Sequence, residues 1–170
     1  ASYQSKRTKN KKNMLTFSYP FIPPSINSSY GVNNKRMYTH THVKVYKEAF
    51  LEWSKNNLFK EISKLKIDPY DCFSLTVSIY FPLEEIVNVK YGKDGRAKSP
   101  FKRLDIDNRI KLLQDCIALV IGGDDKQIFN VNFSKKVAKT AKEKRVDISI
   151  KRENLFDFVG EIEKANGKSG

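Results

Sequence analysis

From Ile106 onward the apolar residues Ile110, Leu113, Ile117 and Val120 follow in steps of four, three, four and three. That spacing predicts a helix with one buried stripe, stopped by Gly122 and Gly123. A helix with a single apolar face must pack on something. The stretch Asp71–Phe81 supplies it, because Phe73, Leu75, Val77, Ile79 and Phe81 alternate with more polar residues. Period two over that length predicts a strand with one face in the core. The chain therefore contains both helix and sheet.

The remaining elements fall around these two. "MLTFSY" (Met14–Tyr19) predicts a short strand, closed by the proline-punctuated "PFIPPSIN" and a loop through Tyr38. In "HVKVYKEAFLEWSKNNLFKEI", Val43, Tyr46, Phe50, Trp53, Leu58 and Ile62 recur at mostly helical steps, an aromatic stripe suited to a core. After the long helix, "IFNVNFSKKV" and "VDISIKR" predict two strands, joined by the basic "AKTAKEKR". The apolar "LFDFV" patch predicts a short final helix. The order β-α-β-α-β-β defines an α+β fold, a mixed or antiparallel sheet with helices packed on it. At 170 residues the chain suits one domain: a flexible basic arm at 1–13, a domain at 14–160 and a frayed tail at 161–170.

The charge is strongly positive, +13, and it is concentrated. Residues 1–13 carry five basic groups and no acid, and residues 86–103 carry six against Asp94. Residues 134–152 carry eight against Glu143 and Asp147. These three stretches exceed the whole chain's excess, so the remainder is slightly acidic. Localised basicity points to a polyanionic partner, nucleic acid before an anionic membrane. Apolar runs such as "IALVI" fall far short of the ~20 residues of a membrane span. The basic start is not followed by an apolar segment of signal type. Cys72 and Cys116 sit inside apolar patterns and read as buried free thiols. A cytoplasmic protein is the expectation. His40 and His42 could chelate a transition metal, but with no thiolate or third histidine nearby they read as loop or strand residues.

Against this basic background, Asp105 and Asp107 stand at one end of the long helix and Asp124 and Asp125 at the other. Two readings fit. Aspartates at a helix start cap free N–H groups, and aspartates after glycines form turns. Alternatively, carboxylates two residues apart hold a hard cation such as Mg²⁺, which polarises a phosphate and activates a water. Lys111 lies one turn after Asp107, on its face, placed for a phosphate contact or proton transfer. Asp115, a turn further, reads as an ion-pair partner for Lys111.

The stretch "RLDIDNRIKLLQDCIALVIGGDDKQI" (Arg103–Ile128) resembles the central motif of RusA-type Holliday junction resolvases. Shared features are D-x-D-N, a lysine three residues after the Asn, an Asp four beyond, and a closing D-D pair. "PFIPPSINSSY" (Pro20–Tyr30) is similar to the family's early P-P-S-x-N-like segment. The likeness spans about Phe17–Ile150. It implies a structure-selective endodeoxyribonuclease that makes paired nicks in four-way DNA junctions, with Mg²⁺ or Mn²⁺ held by Asp105, Asp107 and Asp125, or Asp124 in its place. Lys111 is implied as the essential lysine, and a role in phage DNA processing as the setting. Other branched DNA as substrate, or a non-enzymatic DNA-binding module, are the competing readings.

A helix rises about 1.5 Å per residue, so its acidic ends lie roughly 20 Å apart. Carboxylates so separated cannot share an ion whose oxygen ligands sit ~2 Å away. The expectation is therefore a homodimer, in which Asp125 of one subunit meets Asp105 and Asp107 of the other across a two-fold axis. For DNA contact the candidates are Asn27 and Tyr30, then Lys98, Lys102 and Arg103, then Asn108 and Arg109. Tyr91 or Phe101 would serve as wedges at an opened branch.

Overall fold

The computed structural model describes residues 11–25, 33–88, 91–92, 99–104, 106–122 and 124–158, with residues 33–40 described in backbone only. In chain order these form β1 (Met14–Tyr19), α1 (Asn33–Asn57), α2 (Phe59–Leu65), β2 (Cys72–Pro82) and the single turn α3 (Leu83–Ile86). Then follow α4 (Asp107–Ile121), β3 (Ile128–Ala138) and β4 (Arg145–Glu153), with 3₁₀ turns at Asp125–Gln127 and Ala141–Glu143. Residues 155–158 make a last helical turn.

The four strands lie in the order β1-β4-β2-β3. β4 runs antiparallel to both its neighbours, while β2 and β3 are parallel. A parallel pair cannot be joined by a tight turn; α4 lies on the crossover that joins them. The last strand thus enters the middle of the sheet rather than making a hairpin with β3.

Register shows which face is dry. Leu15, Ile150, Leu75 and Val131 form one cross-strand row, and Phe17, Ile148, Val77 and Phe133 the next. Tyr46 and Phe50 of α1, and Leu112, Leu113, Cys116, Ile117 and Ile121 of α4, belong to the same buried cluster. The alternate residues Thr16, Thr76 and Asn132 are exposed. So both main helices cover one face, as the two apolar periods required. Cys72 and Cys116 are buried thiols; Cys72 Sγ donates to the Glu153 carbonyl at 3.3 Å, and burial pushes the Cys116 thiol up to about 12.

Three local expectations need correcting. The first helix begins at Asn33, within the expected loop, and breaks at Leu58 before α2. His40 and His42 therefore lie on a helix, not on a loop or strand. Leu58 leaves helical geometry at φ −119° because its buried side chain (6% exposed) turns the chain into the core. The basic arm is not wholly free. Lys12 N–H bonds the Lys64 carbonyl at 2.9 Å, and Lys11 pairs with Asp68 at 3.3 Å. Residues 1–10 and 159–170 lie outside the described residues.

One buried polar group fixes α2 to the sheet. Asp71 is 3% exposed, accepts the Asp68 N–H at 2.9 Å and pairs with Arg152 of β4 at 3.3 Å. Arg152 also donates to the Leu65 carbonyl. Removing the carboxylate strands a largely buried guanidinium. Asp71→Ala should therefore cost about 3 kcal/mol, read as a lower midpoint in urea unfolding.

Candidate active site

The two ends of α4 carry the chemistry, and each is built differently. At the start, the residue in the cap position is Ile106, and no side chain caps the helix there. Asp107 is the first helical residue and is exposed. Its carboxylate is thus available to a ligand while the helix dipole favours negative charge at that end. Asp105 lies outside the described residues. Asn108 and Arg109 follow, both partly buried.

Arg109 is tied into the protein. Its Nη1 donates to the Pro23 carbonyl at 3.1 Å, and its guanidinium lies 5.2 Å from the Phe81 ring centre. One cation therefore clamps the P-F-I-P-P segment to the start of α4. That role was not legible from Arg109 as a candidate DNA contact. Lys102 and Arg103 approach the same end and are exposed, and Lys102 N–H bonds the Ile86 carbonyl at 2.8 Å. Phe101 (63% exposed) and Tyr91 (50%) stand on this loop. Asn27, Tyr30 and Lys98 fall outside the described residues.

At its other end α4 stops on Gly122, whose φ of +72° is left-handed. Glycine suits that conformation because it has no Cβ to clash. The reversal brings the D-D pair back beside the last turns of the helix. Asp124 Oδ1 accepts the Lys126 N–H at 3.2 Å, while its own N–H donates to Gln127 Oε1 at 3.1 Å. This is a capping box. Asp124 is therefore occupied in shaping the turn, and Asp125 is the carboxylate less committed to it. A hydrogen bond shared by the pair holds Asp124 below the usual carboxylate range, helped by the Lys126 N–H. The same bond pushes Asp125 above it, with the negative charge of Asp124 and Asp115 adding to the rise.

Asp115 and Lys47 complete this end. They pair at 3.8 Å and, with Asp124 and Asp125, line an open cavity of about 350 Å³. This corrects the expectation for Asp115, whose ion-pair partner is Lys47 of α1 and not Lys111. The reason is packing: α1 lies along α4, so a lysine from the neighbouring helix reaches the carboxylate. Lys47 carried no sequence signal, being one lysine on the polar side of a helix. Lys111 is exposed and lies between Asp107 and Asp115 on one stripe of α4.

Asp107 and Asp115 are eight residues apart, about 12 Å along the axis, and Asp125 shares a cavity with Asp115. Asp107 thus stands apart, among the described residues, from the carboxylates of Asp115, Asp124 and Asp125. Among the described residues, no three acidic, His or Cys groups gather to hold a metal ion. The donors at each end are nonetheless hard oxygens of the kind Mg²⁺ and Mn²⁺ take. Among the described residues, no helix is long and apolar enough to cross a membrane.

A basic α+β domain with carboxylates at both ends of one helix has the build of a DNA-acting protein, and residues 20–151 match a family of endodeoxyribonucleases. That family is RusA, and the chain belongs to it. The matched span takes in the P-F-I-P-P segment, both ends of α4 and every strand but β1 and the tip of β4. No curated protein matches the chain.

Proposed function

We propose that the protein resolves Holliday junctions as a divalent-metal-dependent, structure-selective endonuclease, making paired nicks in four-way DNA. The observation that carries the reading is the separation of the acidic groups along α4. It leaves the Asp105 and Asp107 end short of carboxylates unless a second chain supplies them. Two chains with their α4 helices antiparallel would set Asp125 of one beside Asp105 and Asp107 of the other. The resulting pair of sites has the two-fold symmetry that a four-way junction presents.

In such a site Asp105, Asp107 and Asp125 would hold Mg²⁺ or Mn²⁺, which supplies phosphate polarisation and a more acidic water. Asp124 shapes the turn that carries Asp125. Lys111, exposed one turn from Asp107, neutralises charge on the attacked phosphate. Lys98, Lys102, Arg103 and Asn108, with Asn27 and Tyr30, contact the DNA backbone near the cut. The protein acts in the cytoplasm of a bacterium, in recombination, repair or phage DNA processing.

The test is the cut pattern on a synthetic four-way junction, with and without Mg²⁺. Symmetric nicks in opposed strands, dependent on the cation, are expected. Equal cutting of flaps or forks would shift the substrate to branched DNA in general, and intact DNA throughout would leave a binding module. Junction affinity should also fall steeply with salt. If six or more phosphates are neutralised, raising salt from about 50 to 200 mM should weaken binding about a thousandfold or more. A flat response, measured by filter binding or anisotropy, would remove the basic stretches from the DNA contact.

A further inference from the structure

The P-F-I-P-P segment stands as a wall between two hollows. On one side Tyr19, Phe21, Pro24, His42, Val45 and Tyr46 line a cavity of about 360 Å³. On the other, Arg109, Lys142 and Lys144 line a cavity of about 560 Å³, against the single carboxylate of Glu85. Phe21, Ile22 and Pro24 belong to both linings. The wall is held from each side. Tyr46 donates its hydroxyl to the Phe21 carbonyl at 2.8 Å, and Arg109 donates to the Pro23 carbonyl at 3.1 Å.

The first hollow is aromatic and partly open. The Phe21 and Tyr19 rings meet edge to face, 5.6 Å apart, and Tyr19 meets Tyr46 at 5.7 Å. Phe21 is 59% exposed and Val45 58%, so the hollow presents apolar surface to solvent. Tyr19 also brings a buried hydroxyl with no hydrogen-bond partner among the described residues. A buried polar group of this kind is costly until something pairs with it.

An aromatic hollow sharing one wall with a cationic one matches the two halves of a nucleotide. The base is flat, stacks on aromatic rings and carries polar edges, and the phosphate beside it is anionic. An acyl chain would fill the first hollow but make no use of the three cations. A cavity of this size admits one base and excludes a duplex, whose base faces are covered by their neighbours. We infer that this hollow receives one unstacked nucleobase of branched DNA, its phosphate lying against Lys142, Lys144 and Arg109. The inference rests on the resolvase reading and gives it a means of telling a branch point from linear duplex. It also assigns the wedge to Phe21, on the wall nearest α4, rather than to Tyr91 or Phe101.

The probe is a synthetic four-way junction with 2-aminopurine placed in turn at each position flanking the branch, bound without divalent metal. Wild-type binding should raise the fluorescence at one position as that base leaves its stack. Phe21→Ala should abolish the rise and weaken junction binding about tenfold, with linear duplex binding unchanged. Ala49→Leu, which fills the hollow from the exposed side of α1, should do the same without removing an aromatic ring. A wild-type rise and affinity in both variants would overturn the inference, as would equal weakening on junction and linear duplex. Cutting of the same junction by the wild-type protein in Mg²⁺ is measured alongside. Absence of cutting would overturn the resolvase reading, whereas cutting with an unchanged 2-aminopurine signal in the variants would overturn the nucleobase hollow alone.

Discussion

Asp107→Asn is expected to reduce junction cutting about a thousandfold while leaving junction binding intact or tighter. The carboxylate is exposed at the first position of α4 and makes no helix cap, since the cap residue is Ile106 without a side-chain bond. Its loss should therefore leave the fold unchanged, with an unaltered thermal midpoint. Losing a metal-holding carboxylate removes several kcal/mol of transition-state stabilisation, which sets the thousandfold figure. Binding moves the other way because a negative charge facing a phosphate disappears. Retained cutting by the variant would return the aspartate to a structural role. Equal loss of cutting and binding would mean that the side chain organises the DNA-contacting surface instead.

The second large effect concerns mixtures. Asp107→Asn and Asp125→Asn proteins, each inactive alone, should regain cutting when unfolded together and refolded. In a mixed dimer with composite sites, one site collects both substitutions and the other collects none. Roughly half the dimers would be mixed at equal concentrations, and each would carry a single intact site. About a quarter of the wild-type site number should return, as single nicks rather than paired ones. If each site were built within one chain, the mixture would stay as inactive as its parts. The separation of about 12 Å along α4 between Asp107 and Asp115, which shares its cavity with Asp125, favours the first outcome.

Much of the fold was legible in the residues because its two strongest periods are uninterrupted. Phe73–Phe81 alternates without a break, and Ile106–Val120 steps without one; both elements formed at nearly the expected bounds. The start of α1 was not legible, since "NNKRMYTHTH" has no apolar period and Asn and Thr are weak helix formers. Sheet order was not legible either. Nothing local in "VDISIKR" says that it inserts between β1 and β2, because that depends on two separate cross-strand partnerships. At the site, the acidic residues were visible by motif, yet the division of labour between Asp124 and Asp125 was not. Gln127, three residues on, closes a capping box around Asp124 and commits that side chain to the turn. Lys47 stayed hidden because its relevance comes only from α1 lying along α4.

The central place of β4 governs how the protein comes into being. Both β1 and β2 find their antiparallel neighbour in the last strand, Arg145–Glu153. While the chain is still being translated, those two strands wait with their inner edges unpaired, and such edges invite aggregation. The sheet, and with it a firm seat for α4, is therefore complete only once Arg145–Glu153 has been made. A chain cut short before residue 145 lacks the one strand that joins β1 to β2.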